Sequence, residues 1–82
     1  MVSVYILRCS DSSFYVGRTS DLALRLWQHN EGTGSAYTAK NRPVALAYSE
    51  EFKSDALARA RERQFKRWTR AKKEALIAGN LR

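Results

Sequence analysis

One cysteine, one histidine, one proline and four glycines in 82 residues exclude several classes of protein at once. A lone Cys9 cannot build an intramolecular disulfide framework, and with His29 as the single histidine no multi-ligand zinc site can be assembled within the chain. Low Pro and Gly, with 44% hydrophobic and 11% aromatic residues, exclude disordered and fibrous compositions. No apolar run approaches the roughly 20 residues of a membrane span, because Arg8 ends the first one. No basic leader precedes an apolar stretch, so no signal peptide is read and the expected compartment is the reducing cytoplasm. A chain this short makes one domain, 1–82, and buries only about 60% of its unfolded surface. There is no GxxxxGK[ST] loop, and Gly32-Thr-Gly34 lacks both the third glycine and the preceding strand of GxGxxG.

What is abundant is positive charge. The formal net charge is +7, and it sits in one part of the chain. Residues 1–51 hold five basic and five acidic residues, whereas 52–82 hold ten basic and three acidic. Such an asymmetry favours a polyanionic partner, with a solubilising helical surface as the plainer reading.

Val2 to Cys9 is β-branched and aromatic and reads as a strand, with Val2, Val4 and Ile6 on one face and Ser3, Tyr5 and Leu7 on the other. Ser10-Asp-Ser-Ser13 is turn chemistry, and Phe14 to Arg18 returns as a second strand. Thr19, Ser20 and Asp21 are capping residues before a helix from about Leu22 to Asn30, whose Leu22 and Leu26 share the buried side. Gly32 to Arg42 reads as a loop. Pro43 opens a third strand over Val44 to Phe52, in which Val44, Leu46 and Tyr48 alternate. Ser54 caps a helix from Asp55 to roughly Arg67, with an expected core stripe of Ala56, Leu57, Ala60, Gln64 and Phe65 and with Trp68 beyond it. A last helix covers about Thr69 to Ala78 and stops at Gly79. The order β-β-α-β-α-α implies an α/β (α+β) fold, a small three-stranded antiparallel sheet flanked by helices.

Taken singly, the chemically capable side chains all have structural explanations. Tyr5 and Tyr15 would pack a strand surface, Arg25 would be a solvated charge, and His29 would complement a helix C-terminus. Glu62 would pair with Lys66 one turn on. Magnesium, however, needs only one or two protein carboxylates together with water and phosphate oxygens, so one acid in a basic helix has a chemical use.

Taken together and in order, the residues resemble a GIY-YIG nuclease domain of the compact bacterial kind. Ser3-Val4-Tyr5 stands where the family has GIY, and Tyr15-Val16-Gly17 stands where it has YIG, ten residues on. Thr19, Asp21-Leu22, Arg25-Leu26, His29-Asn30, the Gly32–Thr38 loop, Arg42-Pro43-Val44, Glu50-Glu51-Phe52, Ala60-Arg61-Glu62, Lys66, Arg70, Lys73 and Leu76-Ile77 continue the pattern. Two positions depart from it. Ser3 replaces a glycine, and an asparagine that larger relatives carry after the metal helix has no counterpart near Thr69 or Lys73.

The resemblance implies that Glu62 holds one Mg²⁺ or Mn²⁺ and that Tyr5 or Tyr15 acts on the attacking water. It implies further that Arg25 stabilises charge on the phosphoryl oxygens and that His29 assists proton transfer. Arg18, Thr19, Tyr37, Lys66, Arg70 and Lys73 would meet nucleic acid, with Trp27, Tyr37 or Trp68 as possible stacking surfaces and Trp68 expected in the core. The implied activity is metal-dependent hydrolysis of DNA, single-stranded or branched and of low sequence specificity, alongside repair or recombination proteins. A nucleic-acid-binding module with little catalysis, or an interaction protein of a repair complex, would share the fold. One geometric condition follows. A two-residue loop at Asp11-Ser12 would put Tyr5 and Tyr15 on opposite faces, so the site requires an odd-length loop or a bulge.

Overall fold

The computed structural model describes residues 1–80; Arg82, counted in the carboxy-terminal charge, lies outside the described residues together with Leu81. The elements are β1 (Val2–Arg8), β2 (Phe14–Thr19), α1 (Leu22–Glu31), α2 (Ala36–Lys40), β3 (Ala45–Phe52), α3 (Asp55–Arg67) and α4 (Arg70–Ile77). The sheet has the order β2-β1-β3, antiparallel throughout, so the most apolar strand is central and covered on both faces. On one face Val4, Ile6 and Val16 pack with Ala58 and Phe65 of α3 and Leu76 of α4. On the other, Tyr5, Leu7, Cys9 and Val44 pack with Tyr15 and with Leu22 and Leu26 of α1, the two leucines assigned to the buried side.

The β1–β2 connection has five residues, 9–13, closed by hydrogen bonds from Cys9 N to Ser13 O and from Ser12 N to Cys9 O, both 2.9 Å. Ser12 sits at φ 70°, the left-handed conformation this turn demands, and Asp11 Oδ1 accepts from Ser13 N at 3.0 Å. The odd loop pairs Leu7 with Tyr15 and Tyr5 with Gly17, so the two tyrosines share a face as the site requires.

Four local expectations are corrected. The 32–42 segment is not all loop: Ser35 accepts from Thr38 N at 3.1 Å and caps the short α2, too brief to show helical periodicity in sequence. The third strand starts at Ala45 rather than Pro43 or Val44. Its pairing with β1 jumps from Ile6↔Tyr48 to Leu7↔Leu46, which leaves Ala47 unpaired and turns Leu46 and Tyr48 to opposite faces. The buried stripe of α3 is Ala58, Glu62 and Phe65, while Ala56, Leu57, Ala60 and Gln64 are exposed, Leu57 by 58%. An apolar-stripe reading rejects a position occupied by glutamate, and so rotates the helix away from its true buried side. Trp68 packs on Phe65 with ring centroids 5.1 Å apart, the core placement expected of it.

Candidate active site

Tyr5 reaches its position because of a missing atom. It lies on the central strand directly across from Gly17, and a Cβ on Gly17 would stand 2.5 Å from the Tyr5 hydroxyl and 2.7 Å from Cζ. The absent side chain lets the Tyr5 ring lie against the β2 backbone and carry its hydroxyl to a cleft. That cleft has a volume of about 430 Å³ and is lined by Tyr5, Tyr15, Arg18, Arg25, Asp55 and Glu62 among others.

Behind the hydroxyl stands His29, in the last turn of α1 and with no exposed surface. Tyr5 Oη is 2.8 Å from His29 Nε2, and His29 Nδ1 is 2.7 Å from Thr38 Oγ1 on α2. Thr38 Oγ1 in turn lies 2.9 Å from Ser35 Oγ and donates to Ser35 O at 3.3 Å. A Cβ on Gly34 would sit 2.4 Å from His29 Nδ1, so the 32–35 loop closes on the imidazole only because residue 34 has none. Tyr15 meets the His29 ring edge-on at 5.1 Å and stacks on Tyr37 at 6.1 Å.

Burial raises the Tyr5 phenol above its ordinary pKa, the nearby Arg25 acting in the opposite direction. Burial, and next the positive charge of Arg25, lower the His29 imidazole below its ordinary value. At neutral pH the pair is therefore a protonated phenol on a neutral imidazole. The phenol can give up its proton only to a neighbour, and His29 Nε2 is the neighbour in contact.

The other wall comes from α3. Glu62 is 9% exposed, and both carboxylate oxygens are engaged: Oε1 with Arg18 Nη1 at 2.6 Å and Oε2 with Lys66 Nζ at 3.1 Å. Arg18 also bonds Asp55 Oδ1 through Nε at 2.9 Å, and Arg59 holds Asp55 Oδ2 at 3.1 Å. Arg25, half-buried on α1, donates to Gln28 Oε1 at 3.3 Å. Among the described residues no three His, Cys, Asp or Glu converge as a ready metal cage. The donor set is one recessed carboxylate with a second, Asp55, on the same cleft. Hard, acceptor-only oxygens in that number suit a Mg²⁺- or Mn²⁺-like ion that keeps most of its shell for water and phosphate oxygens.

Thus the structure brings Tyr5, Tyr15, Arg25 and Glu62 to one cleft, with His29 behind Tyr5. Arg18 and Thr19 line the same cleft. Lys66, Lys73 and Tyr37 border an adjoining hollow of about 340 Å³ beside Phe14 and Tyr15. Arg70 is set apart: it donates to Ser12 O at 2.5 Å and lies 4.7 Å over the Phe14 ring, tying α4 to the hairpin turn. Trp27 is 60% exposed and does not line the cleft.

Sequence reasoning missed Thr38, Gly34 and Asp55. Asp55 and Glu62 are seven residues apart in one helix, two turns along a face, a spacing that could have paired them. No local signal marks Thr38, because its partner is nine residues away across a loop.

The similarities to known proteins agree with this geometry. Residues 1–75 match the GIY-YIG catalytic domain family. A UPF0213 protein of Bacillus pumilus is 48% identical over 73 residues, covering 89% of this chain and 74% of its own length. One from Halobacterium salinarum is 43% identical over 77 residues, covering 94% of this chain and all of its own. The solution NMR structure of a UPF0213 protein from Bacillus halodurans superposes with a TM-score of 0.62 at 38% identity, covering 95% of this chain and 84% of that one. This chain belongs to the GIY-YIG family, a family of nucleases, and to its UPF0213 group.

Proposed function

We propose that the protein is a divalent-metal-dependent endonuclease that hydrolyses phosphodiester bonds of single-stranded or branched DNA with low sequence specificity, in the service of repair or recombination. The observation that carries this reading is the hydrogen-bonded chain Tyr5–His29–Thr38, which delivers a phenol backed by a neutral imidazole to a cleft that also holds Arg25 and Glu62. The tautomer this mechanism uses has His29 Nδ1–H donating to Thr38 Oγ1, whose own hydroxyl has Ser35 O in reach, and leaves Nε2 as an acceptor. As water attacks phosphorus in line, its proton passes to Tyr5 Oη while the phenol proton passes to His29 Nε2. The new P–O bond forms, the old one breaks, and the leaving oxygen takes a proton from solvent. His29, its basicity lowered, then gives its proton back to Tyr5 Oη as Tyr5 releases to solvent the proton it took from the water, which replaces the one the leaving oxygen drew and restores the pair for the next cycle.

Arg25, on the wall of the same cleft, would stabilise the charge that develops on the phosphoryl oxygens with a fixed guanidinium. An ion of the Mg²⁺ or Mn²⁺ type held by Glu62 would supply Lewis-acid polarisation of the phosphate. Phosphates flanking the scissile bond would meet Lys66 and Lys73, and the stacked Tyr15–Tyr37 pair offers a sequence-tolerant surface for an unpaired base.

The test is cleavage of labelled single-stranded and duplex DNA by wild type and Glu62→Ala, with Mg²⁺, with Mn²⁺ and with EDTA. Metal-dependent cleavage by wild type alone is expected. Salt-sensitive binding by both proteins with cleavage by neither would instead assign the chain as a nucleic-acid-binding module.

A further inference from the structure

Glu62, the residue best placed to bind a cation, is already neutralised twice. Arg18 Nη1 occupies one oxygen at 2.6 Å and Lys66 Nζ the other at 3.1 Å. With Asp55 and Arg59 included, two carboxylates face three cations, and the cluster carries a net positive charge before any metal arrives. A strongly hydrated divalent ion gains little from such a site, since both oxygens it would use are already donated to and the surrounding potential repels it. A phosphodiester changes this balance. It brings negative charge and non-bridging oxygens that Arg18 and Lys66 can bond in place of Glu62. Arg18 need not leave the cleft to do so, because its Nε stays on Asp55 Oδ1 at 2.9 Å while Nη1 changes partner.

We propose that Arg18 and Lys66 make metal binding conditional on substrate: they occupy Glu62 in the free protein and transfer to the phosphate backbone, so that ion and nucleic acid load together. The inference rests on Glu62 being the metal ligand, and it adds that Arg18 and Lys66 are positioning residues which decide when that ligand is available. By linkage, whatever factor the nucleic acid adds to metal affinity, the metal adds to nucleic-acid affinity.

The experiment measures Mn²⁺ binding by loss of the free-ion electron paramagnetic resonance signal. It uses the full-length protein, alone and with a phosphorothioate octathymidylate whose linkages resist hydrolysis. Wild type alone should bind Mn²⁺ weakly, with affinity rising about tenfold or more when the oligonucleotide is present. Arg18→Gln should tighten binding to the protein alone by about tenfold and shrink the oligonucleotide effect by a similar factor. Lys66→Gln, at an exposed side chain that folding does not need, should do the same by about two- to threefold. Arg63→Gln removes an equal charge from the same helix without touching Glu62, and should change Mn²⁺ affinity less than about twofold. Tightening that is the same in Arg18→Gln and Arg63→Gln would reduce the effect to net charge and overturn the proposal. So would wild-type affinity that is indifferent to the oligonucleotide. Glu62→Gln separates the two layers. If it abolishes Mn²⁺ binding while Arg18→Gln changes nothing, the metal site stands and the conditional loading falls; if it leaves binding intact, both fall.

Discussion

Replacing Gly17 with alanine tests whether Tyr5 is held where the chemistry needs it. The Gly17 backbone does not require a positive φ, so alanine can adopt it, and the lost freedom of the unfolded chain would by itself stabilise the protein by about 0.4–1 kcal/mol. Against that, the new methyl meets the Tyr5 hydroxyl at 2.5 Å and Cζ at 2.7 Å, and Tyr5 is only 1% exposed, with no room to swing aside. Overpacking of this kind costs about 1–3 kcal/mol, so the clash outweighs the entropy. The expected result is a less stable protein, its midpoint lowered by roughly 4–8 °C per kcal/mol of net loss, with cleavage abolished because the hydroxyl leaves His29 Nε2. Urea unfolding followed by far-ultraviolet circular dichroism gives the magnitude, and a double-mutant cycle with Tyr5→Phe gives the cause. Tyr5→Phe alone should cost about 1–3 kcal/mol, since it removes the hydrogen-bond partner of Nε2 on a fully buried imidazole. In the double variant the closest clashing atom is gone, so the combined loss should fall short of the sum by more than the ~0.5 kcal/mol expected of independent sites. Additive losses, or a Gly17→Ala protein of undiminished stability and activity, would refute this account of the cleft.

Stability should also depend on pH through His29. Its folded pKa lies below the ordinary value of about 6.5, so the unfolded chain takes up a proton that the folded chain refuses. Stability is full above that value and falls as pH drops beneath it toward the folded pKa. The urea midpoint should decline from about pH 6.5 downward in wild type and hold level over that window in His29→Gln. Asp11 and Asp55, lowered chiefly by the Ser13 hydroxyl and by Arg18 respectively, contribute only nearer pH 4. Thr38→Val should leave His29 Nδ1 without its partner, costing about 1–3 kcal/mol and lowering kcat with DNA affinity unchanged, while Thr38→Ser should restore both. In salt titrations of binding to single-stranded DNA, Lys73→Ala should reduce the slope of log K against log salt by about one phosphate contact. Tyr37→Ala should weaken binding by about 1–3 kcal/mol at every salt concentration and leave the slope alone.

The tyrosines, arginine and glutamate of the cleft and the histidine behind it could all be named in advance, because their order along the chain carried the family pattern. What they touch could not. The partner that orients His29 is Thr38, in a helix too short for its periodicity to register. The stripe of α3 was misread because its buried middle position is Glu62, and a rule that seeks apolar residues inside steps around an acid.

The sequence by itself determined the three strands, the helices other than α2 and the basic carboxy-terminal third, since period-two and helical patterning, capping side chains and charge are local properties. Only the tertiary structure decided that β1 is the central strand, that Gly17 lies under Tyr5, that Gly34 lies against His29 and that Arg18 joins Lys66 on Glu62. The Gly17 contact depends on a five-residue loop setting the strand register, and the others on segments that meet across the fold or on one helix face turned inward. Local propensity does not specify such contacts; only packing the whole chain does.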